Sequence, residues 1–221
     1  MIVALLPVKT FTRSKERLAA FLTPSERSEL ARVMFEDVWA VLHEALAAKQ
    51  GLDRLLAVSA EPYVIELCRR HGVACLEEDV QLSHSSSVKR ATRWAIGLGA
   101  NALLSVPIDT PGITAAEIFS LLDLRRRAAV VIVPSADGRG TNALLRTPPD
   151  AIDPHFGSDS CNLHAQAASE KGLKFLVAPS SGFAADIDTP EELHSFAARS
   201  EPCLTRTFAR ELLSVSRGVS V

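Results

Sequence analysis

The chain has 221 residues, of which 24 are Lys or Arg and 26 are Asp or Glu, so its formal net charge is −2. Hydrophobic residues make up 47 % and aromatic residues only 5 %, which predicts a large core built mainly from Ala, Val, Leu and Ile. This length suits one domain, and the near-neutral charge offers no basic surface for nucleic acid or an anionic membrane. No apolar run is long enough to span a bilayer.

The first apolar run, residues 2–6, is interpreted as a buried strand rather than a signal peptide, because it lacks a basic start and ends at Pro7. The four cysteines have neither CxxC spacing nor a histidine at metal-ligand spacing, so we expect reduced thiols. The motifs GxGxxG, GxxxxGK[ST], GxSxG and HExxH are absent, which disfavours dinucleotide oxidoreductases, P-loop NTPases, serine hydrolases and zincins. We expect a cytoplasmic globular protein.

Apolar runs of strand length alternate with helical patterns along the first 134 residues. Strands are predicted at 2–6, 54–59, 73–76, 102–106 and 128–134. Helices are predicted from Thr23, where a capping box marks a helix start, and at 62–71, 87–98 and 114–125. The alternation predicts an α/β fold with a mostly parallel central sheet and helices on both faces. Ligands bind such sheets at the carboxyl ends of the strands.

The second half of the chain has a different composition. Residues 135–188 are richer in Gly, Ser, Pro and Asp, which predicts irregular loops with a helix near 161–171 and a strand at 174–178. We interpret this stretch as an insertion over the sheet edge within a domain of residues 1–199. Residues 200–221 are predicted as a C-terminal helical tail.

The loop after the first strand is strongly basic, with Lys9, Arg13, Lys15 and Arg17 close together. A cationic loop at the end of a buried strand can neutralise a triphosphate and stabilise charge on a leaving pyrophosphate. A solvated basic loop would have the same composition, so this segment alone leaves both readings open.

Candidate metal-binding carboxylates occur in two other segments of the chain. Asp109 comes just after the strand at 102–106, and Asp186 and Asp188 form an Asp-x-Asp. Alternate side chains of an extended segment lie on one side, so both carboxylates can face one cation. Capping of a turn or helix is the alternative for Asp109 and Asp188, but it leaves Asp186 without a role.

Two loops of small residues, 137–144 and 156–160, complete the candidate set. Glycine lets backbone N–H groups approach an anion, and Ser160 lies near a predicted helix start, where the helix dipole favours negative charge. Each could be an ordinary loop, but together they indicate a phosphate or carboxylate site.

In this order, the segments resemble the 2-phospho-L-lactate guanylyltransferase family of deazaflavin coenzyme biosynthesis, within the nucleotidyltransferase superfamily. The resemblance covers residues 1–195. It rests on residues 7–9 with 14–18, on 107–109, on 140–144, on 156–157 with Ser160 and His164, and on 186–190.

The resemblance implies a single-domain Rossmann-like nucleotidyltransferase (GT-A-like) fold, with residues 135–188 on the acceptor side. It also implies transfer of GMP from GTP to a small phosphorylated acid, with release of pyrophosphate. The implied site consists of Lys9, Lys15 and Arg17 as catalytic residues, Thr141, Gly157 and Ser160 as acceptor-binding residues, and Asp109, Asp186 and Asp188 as ligands of one or two Mg²⁺ ions.

Two segments depart from the family pattern. Residues 81–86 read Gln-Leu-Ser-His-Ser-Ser where the family carries Gly-Leu-Asn, which leaves the donor base open. The loop at 156–161 is more polar than the family's Phe-Gly-Pro-Gly-Ser-Phe. Among the family's acceptors, 2-phospholactate, phosphoenolpyruvate and 3-phospho-D-glycerate, a polar loop favours 3-phospho-D-glycerate because of its extra hydroxyl.

Two alternatives remain at this stage. One is a nucleotidyltransferase acting on a sugar phosphate or a pterin cofactor. The other is a nucleotide-binding regulator without catalysis, which the presence of all three carboxylates disfavours. The oligomeric state is open, with a dimer as one alternative.

Overall fold

The computed structural model describes residues 1–79 and 83–217. Its sheet has the strand order β3-β2-β1-β4-β6-β5-β7. The strands are β1 (Ile2–Val8), β2 (Arg54–Ser59), β3 (Ala74–Glu77), β4 (Ala102–Ser105), β5 (Val130–Pro134), β6 (Thr141–Arg146) and β7 (Phe175–Val177). The α-helices are α1 (Pro24–Ala47), α2 (Pro62–His71), α3 (His84–Gly97), α4 (Ala115–Leu124), α5 (Ser160–Glu170), α6 (Pro190–Ala197) and α7 (Leu204–Arg217).

The mostly parallel sheet predicted from the sequence is confirmed. Strand β1 lies at its centre and pairs in parallel with both β2 and β4, and β3 and β7 also pair in parallel with their neighbours. Among the strands formed by residues 1–79 and 83–217, only β6 runs antiparallel, between β4 and β5. The carboxyl ends of β1 and β4 therefore meet at the same edge of the sheet.

Strand β6 corrects the interpretation of residues 135–188 as an insertion over the sheet edge. Residues 141–146, predicted as loop, lie inside the sheet, and all six are buried. Their sequence, Thr-Asn-Ala-Leu-Leu-Arg, has little β-propensity, so pairing with two neighbouring strands and burial on both faces decide the conformation. Arg146 is 1 % exposed and donates hydrogen bonds to Thr92 Oγ1 at 2.9 Å and to the Ile152 carbonyl at 3.1 Å.

Helices cover both faces of the sheet, as predicted. Even-numbered residues of β1, such as Ala4 and Leu6, belong to a core shared with α1, α2 and α4. Odd-numbered residues, such as Val3 and Leu5, pack against α3 on the opposite face. Each fully buried Leu or Val contributes about 1.5–3 kcal/mol through removal of apolar surface from water.

A separate apolar cluster joins the C-terminal helices to the rest of the chain. Leu18, Leu30 and Met34 pack with residues of α6 and α7, and the backbone N–H groups of Leu204 and Thr205 donate to the carboxylate of Asp37 in α1. The predicted C-terminal helix is thus present and packs on α1.

Three other sequence-based expectations concern the helix starts, the cysteines and membrane-spanning segments. The capping box of Thr23 with Glu26 starts α1, and equivalent boxes start α4 and α6. All four cysteines are free thiols. Within residues 1–79 and 83–217, no helix is both long enough and apolar enough to cross a membrane.

Candidate active site

A cleft of about 850 Å³ opens at the carboxyl ends of β1 and β4. All nine predicted site residues line it: Lys9, Lys15, Arg17, Asp109, Thr141, Gly157, Ser160, Asp186 and Asp188. The volume lies in the upper part of the usual range for small-molecule sites, about 300–1,000 Å³. Three groups that are far apart in the sequence therefore share one cavity.

Lys15 lies between two of the predicted metal-binding carboxylates. Its Nζ is 2.5 Å from Asp109 Oδ1 and 3.0 Å from Asp188 Oδ1. The lysine side chain is only 2 % exposed, and its backbone adopts the left-handed conformation, with φ of 56°. Burial alone would lower the pKa of Lys15, but the two carboxylates outweigh it and the pKa is raised. Lys15 therefore keeps its charge inside the cleft.

The contact with Lys15 also changes the pKa of Asp109. Burial would raise the pKa of Asp109, yet the charge of Lys15 and its hydrogen bond lower it. Asp188 has a second basic neighbour, since Arg17 Nη1 lies 3.7 Å from its Oδ2. The Arg17 side chain is 76 % exposed, and such a solvated ion pair contributes little energy. Arg17 can therefore exchange this partner for a ligand phosphate at small cost.

Asp186 has a different environment from Asp109. It is half-buried, and this burial raises its pKa, although a hydrogen bond from the Asn142 side chain opposes the shift. Asn142 Nδ2 also donates to the Phe183 carbonyl at 2.7 Å, which ties β6 to the segment before Asp186.

The segment after Asp186 is held by the start of α6. The Glu192 carboxylate accepts hydrogen bonds from the backbone N–H groups of Asp188 and Thr189, each at 2.8 Å. Capping and a site role for Asp188 are thus compatible, because the cap uses its backbone and leaves its side chain in the cleft.

These carboxylates do not form a ready three-ligand metal centre. In the described part of the chain, His, Cys, Asp and Glu side chains form no group of three that could hold one ion. Lys15 contacts Oδ1 of both Asp109 and Asp188. The Oδ2 atom of each carboxylate takes no part in the contact with Lys15. Mg²⁺ in phosphate sites takes one or two carboxylates and completes its shell with phosphate oxygens and water. The donor set fits an ion of that kind, and the metal role of the three aspartates stays a prediction.

Residues of two small-residue loops also line the cleft. A turn at residues 135–140 is organised by Asp137, whose Oδ1 accepts from Ser135 Oγ at 2.6 Å and from the Arg139 N–H at 2.9 Å. Gly157 in the second loop has φ of +128°, a conformation that side-chain-bearing residues rarely adopt. The loops therefore hold their shape through local hydrogen bonds and one glycine.

The start of α5 offers fewer free donors than the sequence indicated. The Ser160 N–H donates to the Gly157 carbonyl at 3.3 Å, and the Cys161 N–H donates to the Arg139 carbonyl at 2.9 Å. An anion there would depend on the side chain of Ser160, which is 1 % exposed and lines the cleft.

His164 connects the two loops beneath the cleft. Its Nε2 accepts from the His155 N–H at 2.8 Å, and its Nδ1 lies 3.0 Å from Thr141 Oγ1. Its side chain is fully buried.

His84 lies in the cleft wall, although the sequence analysis assigned no site role to it within residues 81–86. The His84 ring meets Phe156 edge-to-face at 4.6 Å, and Ser85 Oγ accepts from the Phe156 N–H at 2.8 Å. Burial lowers the pKa of His84 to about 4. These residues belong to the stretch that departs from the family pattern, so no motif pointed to them; Gln81 and Leu82 of that stretch lie outside the described residues.

The chain is similar to known proteins over almost its whole length. The family model described as "Guanylyl transferase CofC like" matches residues 2–218. A phosphoenolpyruvate guanylyltransferase of Conexibacter woesei is 36 % identical over 217 residues, covering 97 % of this chain and 90 % of the relative. A 2-phospho-L-lactate guanylyltransferase of Methanothermobacter thermautotrophicus is 34 % identical, covering 95 % and 90 %. A 3-phospho-D-glycerate guanylyltransferase of Colwellia psychrerythraea is 31 % identical, covering 89 % and 91 %.

Among solved structures, the fold is similar to that of a protein of Desulfovibrio desulfuricans proposed to be a nucleotide-diphospho-sugar transferase. The TM-score is 0.78 at 17 % identity, with 98 % of this chain and 97 % of the other covered. Fold, cleft and relatives together define a nucleotidyltransferase. Within that class, the chain belongs to the CofC-like guanylyl transferase family.

Proposed function

We propose that this protein transfers GMP from GTP to a small phosphorylated carboxylic acid, releasing pyrophosphate, in deazaflavin coenzyme biosynthesis. The observation that carries the proposal is the convergence of the basic loop, the aspartates and the small-residue loops on one cleft. Relatives whose names specify guanylyl transfer to three phosphorylated acids support the same reaction.

The reaction consists of one in-line displacement. A phosphate oxygen of the acceptor attacks the α-phosphorus of GTP, the new P–O bond forms, and the bond to the β-phosphate oxygen breaks. A phosphomonoester has a second pKa of about 6, so the attacking oxygen needs no general base near neutral pH.

Basic residues stabilise the leaving group in this scheme. Lys9 and Arg17 are exposed at the cleft and bind the phosphates of GTP, while buried Lys15 keeps a fixed positive charge beside Asp109 and Asp188. Fixed charges in a partly dehydrated site stabilise a developing anion more than mobile solvent does. Asp109, Asp186 and Asp188 would hold one or two Mg²⁺ ions, which supply charge neutralisation and orient phosphate oxygens.

Thr141, Gly157 and Ser160 bind the acceptor. Ser158 and Asp159, which lie between Gly157 and Ser160 in the sequence and also line the cleft, make this part of it polar. This polarity is the reason to place 3-phospho-D-glycerate, with its additional hydroxyl, ahead of phosphoenolpyruvate and 2-phospholactate.

The decisive experiment incubates the protein with GTP, Mg²⁺ and each of the three acids, and identifies the product by mass. We expect a GMP adduct and an equivalent amount of pyrophosphate, with the highest kcat/KM for 3-phospho-D-glycerate. Thermal-shift measurements with GTP, CTP, ATP and UTP test the donor, because ligand binding raises stability by mass action. Absence of an adduct with every acid would refute the proposed reaction.

A further inference from the structure

We propose that His164 is a positioning residue that makes the Thr141 hydroxyl a hydrogen-bond donor to the phosphorylated acid. The proposal rests on the proposed function for the identity of that ligand. It assigns a role to a buried side chain that lies beneath the cleft rather than in it.

The hydrogen bonds of His164 determine its tautomer. The His155 backbone N–H can only donate, so Nε2 of His164, 2.8 Å away, must carry a lone pair. The proton of the neutral ring is therefore on Nδ1, which lies 3.0 Å from Thr141 Oγ1. His164 thus donates to the threonine oxygen.

This direction decides what Thr141 presents to a ligand. A hydroxyl has one proton and accepts through its lone pairs. Because one lone pair of Oγ1 is engaged by His164, the hydroxyl proton remains for another acceptor, and Thr141 lines the cleft. A phosphate or carboxylate oxygen accepts such a proton, whereas the opposite tautomer would turn a lone pair toward the anion.

The environment of His164 keeps this arrangement constant. Burial, with the nearby His155 and Arg146, lowers its pKa to about 3, so the ring is neutral throughout the working pH range. The Phe156 ring packs edge-to-face against it at 5.4 Å. His164 therefore also locates the loop that carries Gly157, and both acceptor-binding segments have one common support.

Two variants separate the two hydrogen bonds. The amide nitrogen of Asn matches Nδ1 of His, and the amide group of Gln matches Nε2. His164→Asn keeps a donor to Thr141 and loses the contact with His155, whereas His164→Gln keeps an acceptor for His155 and loses the donor. We expect His164→Gln to raise KM for the acceptor about tenfold, the effect of losing one well-placed hydrogen bond to a charged ligand, with KM for GTP unchanged.

We expect His164→Asn, which keeps the donor to Thr141, to raise the acceptor KM clearly less than His164→Gln does, and His194→Gln in α6, outside the cleft, to change neither KM. A double-mutant cycle with Thr141→Val tests the route of the effect. If His164 acts through Thr141, His164→Gln adds nothing to the acceptor KM once the hydroxyl is gone. Equal KM increases for His164→Asn and His164→Gln, no increase for His164→Gln, or full additivity in the cycle would overturn the assignment.

One measurement needs neither a variant nor activity. Nitrogen-15 NMR of histidine-labelled wild-type protein should show His164 protonated at Nδ1 and unprotonated at Nε2, and the reverse pattern would also overturn the assignment. The two proposals fail in different ways. A wild-type protein that forms no GMP adduct refutes the proposed function, whereas an active wild type whose His164 variants show no separation of the two KM values refutes only the role of His164.

Discussion

Lys15 Nζ donates a hydrogen bond to Asp188 Oδ1 at 3.0 Å, although the two residues are 173 positions apart. The contact joins the loop after the first strand to the segment before α6 and sets a positive charge among the cleft carboxylates. Because the lysine is buried and both aspartates are partly exposed, it organises the carboxylates while a face of each stays accessible.

Replacing Lys15 with Met should abolish most of the activity. The substitution removes the fixed charge near the leaving group and leaves two carboxylates unpaired, and loss of one such electrostatic contact costs about 10²–10³-fold in kcat. Pyrophosphate release measures the effect. Lys49→Met is the matched control, because Lys49 also has a left-handed backbone, with φ of 55°, but is exposed after α1. A Lys15→Met enzyme with wild-type kcat would contradict the role of this charge.

Asp186→Asn should reduce Mg²⁺-dependent pyrophosphate release about a hundredfold or more, because the neutral amide is a weak ligand for a hard cation. The fold should persist, since burial already disfavours the ionised carboxylate and raises its pKa. Circular dichroism and thermal unfolding check the fold. Asp123→Asn on α4, at a 76 % exposed side chain, serves as the control. Normal turnover of GTP and acceptor by Asp186→Asn would show that the metal assignment is wrong.

Gly157→Ala should weaken acceptor binding through the backbone alone. No atom lies within 4 Å of the added Cβ, so the cost comes from a φ of +128°. The matched control is Gly72→Ala at the end of α2, which also has positive φ, +66°, and open space. We expect both variants to lower the melting temperature, but only Gly157→Ala to raise the acceptor KM. If the acceptor KM rose in both variants, or in neither, Gly157 would have no specific role in acceptor binding.

A pH effect on stability is expected from His43, far from the cleft. Burial lowers its pKa below 6.5, and His71, with ring centroids 5.5 Å apart, acts in the same direction, while the hydrogen bond to the Trp39 carbonyl opposes them. The unfolded chain then binds more protons than the folded one just below pH 6.5. The free energy of unfolding therefore increases as the pH rises through this window. This contribution of His43 to stability is lost as the pH falls.

Thermal unfolding at a series of pH values tests this effect. The wild-type melting temperature should decrease from about pH 7.5 to about pH 5.5, and His43→Gln should reduce the decrease. His194→Gln provides a histidine replacement away from this cluster. Identical slopes for wild type and His43→Gln would assign the acid sensitivity to other groups.

Much of the fold could be predicted from local patterns. The strands at 54–59 and 102–106 and the helix from Thr23 follow from apolar spacing and a capping box, and the structure confirms them. Strand β6 could not be predicted, because Thr-Asn-Ala-Leu-Leu-Arg becomes a strand only between two neighbouring strands. Similarly, nothing local marked His84 as part of the cleft, since its contact with Phe156 spans a large separation in the chain.

The sequence by itself determined the α/β architecture and the turns that carry the charged and small residues, because helix caps and strand periodicity involve neighbours a few positions apart. Only the tertiary structure decided how those turns meet. Lys15 lies between Asp109 and Asp188, and His164 lies beneath Thr141, because long-range strand pairing sets their distances. Those distances determine which side chains share a charge or a proton, and sequence spacing contains no information about them.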